Sequence, residues 1–303
     1  MAKLTPRVAT WQRSGTYEQV GGHRIFVRER AGDPDLPPVL LLHGYPSSSY
    51  DWRDSFDLLD GHRLLTFDFL GYGLSDKPRE VQYSLRIQAD IAEELARRYA
   101  SEPVVMVSHD MGSSVATEIL ARDLDGTLSF TLRSALLFNA SMVREQASLL
   151  LGQKLLLSRV GPILTRLTGE AAYRRTFGGI FSAAHPLSAD EAADQWSLLA
   201  CNDGHRMLDK LIYYNHERVT PPTSDRWHHA LRDWPGRLEL GWAGDDPICT
   251  EAVLQAVLKL RPRAELTRLP GLGHYPQIEE PKRVYEVIQR HAAQSTGSDT
   301  AGG

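Results

Sequence analysis

Short apolar runs that alternate with helical patterns place the strongest limit on how this chain can fold. Residues 23–30 alternate in polarity like a half-exposed strand, whereas "PVLLL" at 38–42 is typical of a fully buried one. Further strands are predicted at 63–69, 104–107, 131–139, 237–243 and 264–269. In residues 84–99 an apolar position recurs every fourth residue behind the N-cap candidate Ser84, and a similar pattern follows Pro281. This alternation predicts an α/β fold with a mostly parallel sheet covered on both faces.

The alternation stops between about residues 141 and 234, where strand signals are almost absent. Helices are predicted there at 144–158, 170–177, 188–200, 205–218 and 225–233. An all-helical block between two strands is typical of a lid over the carboxyl ends of the sheet, where open α/β sheets bind ligands. We therefore expect a core domain in two parts, residues 16–140 and 235–293. A helical lid, residues 141–234, is inserted between them, and residues 294–303 form a disordered polar tail.

The composition is that of an ordinary soluble globular protein. The chain has 303 residues, 42% hydrophobic and 24% charged, and a formal net charge of -4. Because no block of like charges occurs, neither a nucleic acid nor a membrane is expected as a partner, which leaves a small-molecule substrate. Cys201 and Cys249 fit no metal spacing and no disulfide framework, so we expect a cytoplasmic protein without metal or cofactor. The oligomeric state stays open.

The stretch "VVMVSHDMGSS" at 104–114 has the pattern of a buried strand that enters a sharp turn before a helix. In many hydrolases such a turn carries a nucleophile on a strained backbone, which requires small residues two positions before and two positions after it. Asp110 meets this requirement with Ser108 and Gly112. Ser108 or Ser113 in the same role would be flanked by larger side chains. We therefore predict Asp110 as the nucleophile.

Other loops carry the groups that such a nucleophile needs. The segment "HGYP" at 43–46 follows a buried strand, so the backbone N–H of Tyr45 is a candidate oxyanion donor. The residue after the nucleophile, Met111, would supply the second N–H. Asp246 follows a predicted strand in "GWAGDDPICT", and His274 lies in the glycine-rich loop "LPGLGHYPQIEEP". Nucleophile, carboxylate and histidine then occur in the chain order of an α/β-hydrolase triad.

The chain resembles an α/β-hydrolase of the aspartate-nucleophile branch, which includes epoxide hydrolases and haloalkane dehalogenases. The segment "DFLGYGLSDKP" at 68–78 is a hallmark of that branch. Five segments together are similar to the mesoderm-specific transcript proteins and their bacterial relatives: "HGYPSSSYDW", "SHDMG", "PILTRL", "NDG" and "HYPQIEEP". The similarity covers about residues 16–293. It implies Asp110 as the nucleophile, Asp246 as the acid and His274 as the base.

An aspartate at the nucleophile position selects a particular kind of substrate. Its carboxylate is ionised at neutral pH and can displace a leaving group from a saturated carbon, which leaves an alkyl ester on the enzyme. A water activated by His274, with Asp246 holding the imidazole in the right tautomer, would then hydrolyse that ester. Asp110 therefore favours epoxides or alkyl halides over acyl substrates.

The leaving group separates these two substrates. A halide needs side-chain N–H donors, and Tyr45 and Met111 supply none at the positions where many dehalogenases have asparagine and tryptophan. An epoxide oxygen instead needs a proton donor, for which epoxide hydrolases use tyrosines of the helical block. We therefore predict an epoxide hydrolase. A haloalkane dehalogenase that uses Trp196, and a non-catalytic ligand-binding protein on the same scaffold, are the alternatives.

Tyr213 and Tyr214 are adjacent on a predicted helix and point about 100° apart, so only one of them faces the cleft. Tyr214 lies three residues beyond Leu211, in the apolar stripe of that helix, and it matches a tyrosine in the resemblance. We predict Tyr214 as the proton donor, with Tyr173 as a possible second donor.

Overall fold

The computed structural model describes residues 3–140, 142–143 and 151–295. These residues form one eight-stranded sheet. Its strands are β1 (Thr16–Val20), β2 (His23–Arg30), β3 (Val39–Leu42), β4 (Leu64–Phe67), β5 (Val104–His109), β6 (Leu132–Phe138), β7 (Arg237–Ala243) and β8 (Glu265–Leu269). Their order across the sheet is β1-β2-β4-β3-β5-β6-β7-β8. Strands β1 and β2 pair antiparallel with their neighbours, and the other pairs are parallel, which confirms the predicted mostly parallel sheet.

Helices cover both faces of the sheet. Those of the core are α1 (Pro6–Arg13), α2 (Arg53–Leu58), α3 (Leu85–Tyr99), α4 (Met111–Leu124), α12 (Glu251–Leu260), α13 (Pro276–Glu279) and α14 (Pro281–Ser295). Between β6 and β7 lie α5 (Leu151–Leu156), α6 (Gly161–Leu167), α7 (Glu170–Gly178), α8 (Ala189–Ala200), α9 (Leu208–Leu211), α10 (Tyr214–Val219) and α11 (Thr223–Asp233). We call residues 151–233 the helical segment.

The two faces of the sheet carry two apolar clusters, because successive side chains of a strand point to opposite sides. Met106 of β5 belongs to the cluster that packs under α3 and α4, whereas Val105 and Val107 belong to the cluster under α1, α2 and α14. Strand β5 is buried along its whole length, as the centre of a parallel sheet requires. The loop after β5 therefore leaves from a rigid position in the middle of the molecule.

All seven predicted strands are confirmed, and their ends agree with the prediction within two residues. Two elements near the N-terminus were missed. Strand β1 pairs with β2 through a turn at Gly21 and Gly22, both at positive φ, and two such glycines between apolar runs are a hairpin signal. Helix α1 begins with Thr5 as its N-cap and Pro6 in its first turn, and it packs into the core although it precedes the predicted domain start at residue 16.

The helical segment has more breaks than the sequence predicted. The predicted helix 205–218 is wrong as a single element, since α9 and α10 follow a 3₁₀ segment, Cys201–Met207, in which Asn202 and Asp203 have positive φ. Helix α6 was not predicted, and Pro162 in its first turn starts it as a separate helix. Part of the predicted helix 144–158 and most of the predicted tail lie outside the described residues, and α14 continues to Ser295, inside that predicted tail. Among the described residues no helix is long and apolar enough to span a bilayer.

Candidate active site

Asp110 occupies a strained turn between the central strand β5 and helix α4. Its backbone has φ +48° and ψ -116°, which is unusual for a residue with a side chain. The turn is possible because Gly112 approaches β3 closely, and a Cβ there would lie 2.5 Å from the carbonyl oxygen of His43. Ser108 is buried, with its hydroxyl 3.0 Å from that of Ser113. The structure thus places Asp110, rather than either serine, at the tip of the turn.

The Asp110 carboxylate has one oxygen held and one available. Oδ2 accepts a hydrogen bond of 2.9 Å from the backbone N–H of Tyr45, one of the two predicted oxyanion donors. The second, Met111, is the first residue of α4, so its N–H has no acceptor within the helix. Oδ1 lies 3.8 Å from Nε2 of His274. The side chain is 5% exposed, so water has little access to this carboxylate.

His274 and Asp246 form a buried pair beside Asp110. Nδ1 of His274 lies 2.7 Å from Oδ2 of Asp246, which leaves Nε2 of the imidazole directed toward Asp110. The same Oδ2 accepts a 2.6 Å hydrogen bond from the Asn139 amide, and Oδ1 accepts a 2.7 Å bond from the Ile248 N–H. The neighbouring carboxylate, Asp245, is exposed. The three residues predicted as nucleophile, acid and base are therefore adjacent in space.

The charges of this pair stabilise each other. Burial acts to raise the pKa of Asp246, but the His274 charge and the hydrogen bonds from His274, Ile248 and Asn139 outweigh burial and lower that pKa below its usual range. Burial acts to lower the pKa of His274, but the carboxylates of Asp246 and Asp110 raise it to about 9. Asp246 is therefore ionised at neutral pH, and the protonation of His274 depends on the charge of Asp110.

Two further histidines and Asn139 were missed as functional residues. His43 donates from Nδ1 to the Gly44 carbonyl and accepts from the backbone N–H of Phe69 at Nε2. Nε2 of His109 donates to the carbonyl oxygen of His274 at 2.6 Å. Burial lowers the pKa of His43 to about 3 and that of His109 to about 4, so both rings are neutral. His43 holds the loop that carries the oxyanion donor Tyr45, and His109 holds the loop that carries His274. In the sequence, this role is indicated only because each histidine is next to one of the motifs of the site.

A mostly apolar cavity of about 350 Å³ lies between the core and the helical segment. Its walls are formed by Tyr45, Pro46, Gln153, Leu155, Leu156, Leu164, Thr168, Ala172, Tyr173, Thr176, Phe177, Ile180, Leu208 and Ile248. No charged side chain is among these lining residues. Tyr45 belongs both to the cavity, through its side chain, and to the Asp110 site, through its N–H. Asp110, His274 and Tyr214 are not among these lining residues, so Tyr45 is the residue that connects the cavity to the Asp110 site.

The aromatic residues predicted for proton donation or halide binding occupy different places. Tyr214 is buried, with its ring centroid 5.7 Å from that of Tyr45, whereas Tyr213 is 44% exposed. Tyr173 lines the cavity, and its buried hydroxyl has no hydrogen-bond partner among the described residues. Trp196 packs against Tyr173 with ring centroids 5.7 Å apart and is not among the lining residues. The structure thus brings Tyr173 and Tyr214 toward the site and leaves Trp196 behind Tyr173.

One group of possible metal ligands overlaps the site. The ligand atoms of Asp246, Cys249 and His274 lie within 4.8 Å of one another. His274 and Asp246 are already hydrogen-bonded to each other, and the Cys249 thiol donates to the Asn139 carbonyl oxygen at 2.9 Å. Burial raises the pKa of that thiol, which disfavours the thiolate that a metal would require. This donor set fits a proton-transfer pair better than a metal site.

The fold is that of the α/β-hydrolases. Residues 39–287 match the model of the alpha/beta hydrolase family, and the chain belongs to this family. The Mycobacterium tuberculosis (strain H37Rv) protein LipZ is 49% identical over 283 residues, which cover 93% of this chain and 97% of LipZ. The mouse mesoderm-specific transcript protein is 35% identical over 291 residues, which cover 92% of this chain and 86% of that protein. These relatives confirm the resemblance on which the sequence analysis relied.

More distant similarities connect the chain to proteins with named reactions. Epoxide hydrolase 3 of Xenopus tropicalis is 23% identical over 276 residues, which cover 86% of this chain and 72% of that enzyme. A crystal structure of a loop variant of the haloalkane dehalogenase DbeA from Bradyrhizobium elkanii superposes with a TM-score of 0.78 and 21% identity, covering 94% and 98% of the two chains. At this identity the superposition shows a shared fold. A hydrolase is the class that these findings support.

Proposed function

We propose that the protein hydrolyses an epoxide to a diol through a covalent ester on Asp110. The observation that carries this proposal is the position of the Asp110 carboxylate, with Oδ2 on the Tyr45 N–H and Oδ1 3.8 Å from Nε2 of His274. A carboxylate, unlike a serine hydroxyl, attacks saturated carbon without the help of a general base. Epoxide hydrolase 3 of Xenopus tropicalis is a relative whose name states this reaction.

In the first step Oδ1 of Asp110 attacks an epoxide carbon. Oδ1 is the attacking atom because Oδ2 is already held by the Tyr45 N–H. The new bond joins Oδ1 to carbon while the carbon–oxygen bond of the epoxide breaks, and the departing oxygen takes a proton from Tyr214. Burial and the nearby charge of Asp110 raise the pKa of Tyr214, so its hydroxyl is protonated at neutral pH and can donate. The product is a hydroxyalkyl ester.

In the second step His274 activates a water against this ester. Nε2 accepts a proton from the water, whose oxygen attacks Cγ of Asp110, and negative charge develops on Oδ2. The N–H groups of Tyr45 and Met111 stabilise that charge. Collapse of the intermediate breaks the bond from Cγ to the ester oxygen, and the departing alkoxide takes the proton of the newly added hydroxyl. This releases the diol and restores the Asp110 carboxylate, while the proton held by His274 replaces the one that Tyr214 gave. The ester also removes the negative charge of Asp110, which lowers the pKa of His274 and favours the neutral base that this step needs.

The leaving group favours the epoxide over a halide. Among the residues lining the cavity, the only side-chain N–H donor is the amide of Gln153, while Tyr45 and Tyr173 offer hydroxyl groups. A halide ion would therefore lack the pair of N–H donors that it needs next to Asp110. Haloalkane dehalogenase is the alternative enzyme. Its test is a parallel screen of epoxides and short haloalkanes for diol and halide release.

Replacement of the base separates the two steps and tests the covalent mechanism. In a His274→Gln variant, attack by Asp110 should proceed while ester hydrolysis stalls. Intact-mass spectrometry with an epoxide turned over by the wild type should then show an adduct that maps to the peptide containing Asp110. The matched control, His274→Gln combined with Asp110→Ala, should show no adduct.

Two outcomes would contradict the proposal. If the single variant carries no adduct under conditions in which the wild type turns over, the reaction does not pass through an ester on Asp110. If the wild type turns over no epoxide but releases halide from a haloalkane, the protein is a haloalkane dehalogenase and not an epoxide hydrolase. Binding of these compounds without any turnover would favour the non-catalytic ligand-binding protein.

A further inference from the structure

Helices α5 and α6 carry most of the large apolar side chains that are exposed in the described part of the chain. Leu155, Val160, Ile163 and Leu167 are 42%, 45%, 56% and 75% exposed, and the only other one is Tyr213. Ile163 and Leu167 are four residues apart on α6 and therefore lie on the same face of that helix. Single exposed apolar side chains are common, but four between residues 155 and 167, on α5, on α6 and at the N-cap of α6, indicate a candidate interaction surface.

Basic side chains accompany this patch. Lys154, Arg159 and Arg166 are exposed, and residues 151–169 contain no aspartate or glutamate. Of the acidic residues near α6, Asp209 is partly buried where it packs near Gly161, and Glu170, the first residue of α7, is exposed. The net charge of -4 for the whole chain therefore conceals a local cationic surface. We call Leu155, Val160, Ile163 and Leu167, together with these three cations, the α5–α6 surface.

The α5–α6 surface lies at the apolar cavity. Leu155 is part of both, and Leu156 and Leu164 of the same two helices form part of the cavity wall. An apolar compound that approaches along this surface would thus contact the cavity lining directly. An apolar patch with cations around it, next to an uncharged cavity, has the chemistry of a surface that contacts lipid.

We propose that the α5–α6 surface docks the protein on an anionic lipid surface, with the apolar side chains among the acyl chains and the cations on the headgroups. Helices α5 and α6 are too short to cross a bilayer, so the contact is peripheral. The docked cavity opens toward the lipid and takes up uncharged, lipophilic compounds dissolved there. This departs from the expectation of no membrane partner, which rested on the charge of the whole chain. The docking goes beyond the proposed reaction and does not depend on it.

Vesicle flotation tests the proposal without any activity measurement. The full chain should float with vesicles of phosphatidylcholine and phosphatidylglycerol, float much less with phosphatidylcholine alone, and bind less at high salt, because surface charges are screened. Ile163→Asp and Leu167→Asp should each reduce binding at least tenfold, whereas Tyr213→Asp, an exposed apolar residue elsewhere, should not. Lys154→Gln, Arg159→Gln and Arg166→Gln combined should reduce it on the order of 100-fold, as three cations near a charged membrane would.

Matched variants separate docking from a general effect of charge or of misfolding. Arg263→Gln, an exposed cation distant in sequence from the α5–α6 surface, should leave binding unchanged, and thermal unfolding should show that every variant is folded. Wild type that does not float with anionic vesicles overturns the proposal. So does equal binding by the Asp variants and wild type. A third outcome is that the wild type binds no vesicles and is a dimer in light scattering, while Leu167→Asp is a monomer. The α5–α6 surface would then join two copies of this chain, and the proposal would be wrong.

Discussion

At the scale of single residues, Asp246 organises the base. Its Oδ2 accepts hydrogen bonds from Nδ1 of His274 and from the Asn139 amide, so the carboxylate fixes both the tautomer and the orientation of the imidazole. Asn139 itself adopts a φ of +43° and accepts from the Ala243 N–H. The position of the acid thus depends on two strands, β6 and β7, rather than on its own loop alone.

Replacing Asp246 by asparagine should lower kcat on the order of 10⁴, by analogy with the same change in a serine triad. The amide cannot hold His274 in the tautomer that has Nε2 free to accept a proton. Asp245→Asn is the matched control, because Asp245 is adjacent, exposed and remote from the imidazole, and it should stay near wild type. Steady-state kinetics of both variants with one epoxide gives the comparison. The reverse ranking would assign the acid role to Asp245.

The pH dependence of the two chemical steps should differ. With both carboxylates ionised the pKa of His274 is about 9, and esterification of Asp110 removes one of these charges and lowers it. Ester hydrolysis needs neutral His274. Its rate should therefore fall as the pH is lowered through the pKa that His274 has in the ester intermediate, which lies below about 9. Attack on the epoxide does not need neutral His274, so its rate should not follow this decline. Single-turnover kinetics across the pH range resolves both steps, and a hydrolysis rate that rises toward low pH would contradict the role of His274.

At the scale of elements, the direction of α10 decides which tyrosine faces the site. The helix begins at Tyr214, and Tyr213 precedes it with its ring on His216 and nearly half of its side chain exposed. Tyr214 instead packs on Tyr45. The sequence indicated Tyr214 through an apolar stripe drawn on one long helix, and that helix is broken. The residues of that stripe are nevertheless buried, since Leu208 and Leu211 of α9 and Tyr214 of α10 are all at most 6% exposed.

Tyr214→Phe should reduce the rate of epoxide opening by about 10² to 10⁴, the usual contribution of a general acid. Displacement of halide from a haloalkane, if the wild type catalyses it, needs no proton and should remain nearly unchanged. Tyr213→Phe is the control and should behave like wild type in both assays. Adduct formation in the His274→Gln background measures the opening step directly. Unchanged opening in Tyr214→Phe would move the donor role to Tyr173, whose buried hydroxyl has no partner in the described part of the chain.

At the scale of the whole molecule, buried carboxylates join the core to the helical segment. Asp51, in the 3₁₀ segment Ser49–Trp52 of the core, accepts a hydrogen bond of 2.9 Å from Gln195 of α8. Asp194 of the same helix accepts from the Tyr50 hydroxyl at 2.8 Å and pairs with Arg7. These contacts hold α8 against the core on the side of α1. Helix α8 in turn packs on the cavity residue Tyr173 through Trp196, with ring centroids 5.7 Å apart.

Asp51 should make the stability of the whole molecule depend on pH. Burial raises the pKa of Asp51 to about 7, whereas in the unfolded chain it is about 3.9. The folded state thus binds the Asp51 proton more tightly than the unfolded state does. The stabilisation of the folded state by this protonation is full below about pH 4 and is lost as the pH rises through about 7. Asp51→Asn removes this loss, so its free energy of unfolding relative to wild type should increase with pH by up to about 4 kcal/mol.

Urea denaturation at several pH values measures this difference. Asp57→Asn is the matched control, because Asp57 is an exposed aspartate on neighbouring α2, and its difference from wild type should not change with pH. A difference for Asp51→Asn that is constant or falls with rising pH would show that folding does not raise the pKa of Asp51.

The sequence predicted the sheet better than the helical segment for a physical reason. Buried parallel strands are apolar along their whole length, and their loops at the carboxyl ends carry Asp110, Asp246 and His274. The helical segment is held by contacts across the chain, such as Gln195 to Asp51, which no local pattern contains. Asn139 could not be predicted for the same reason, because its role depends on Asp246, 107 residues away along the chain.

The strand order has a consequence for synthesis on the ribosome. Strand β8 is the last strand of the described residues and lies at the edge of the sheet beside β7, and the loop that follows it carries His274. A nascent chain can pair its first seven strands before residues 265–269 emerge, and until then β7 is an unpaired edge open to association with other chains. Pairing of β8 removes this hazard and delivers the base to Asp110. A growing chain therefore completes its sheet and its triad in the same late step.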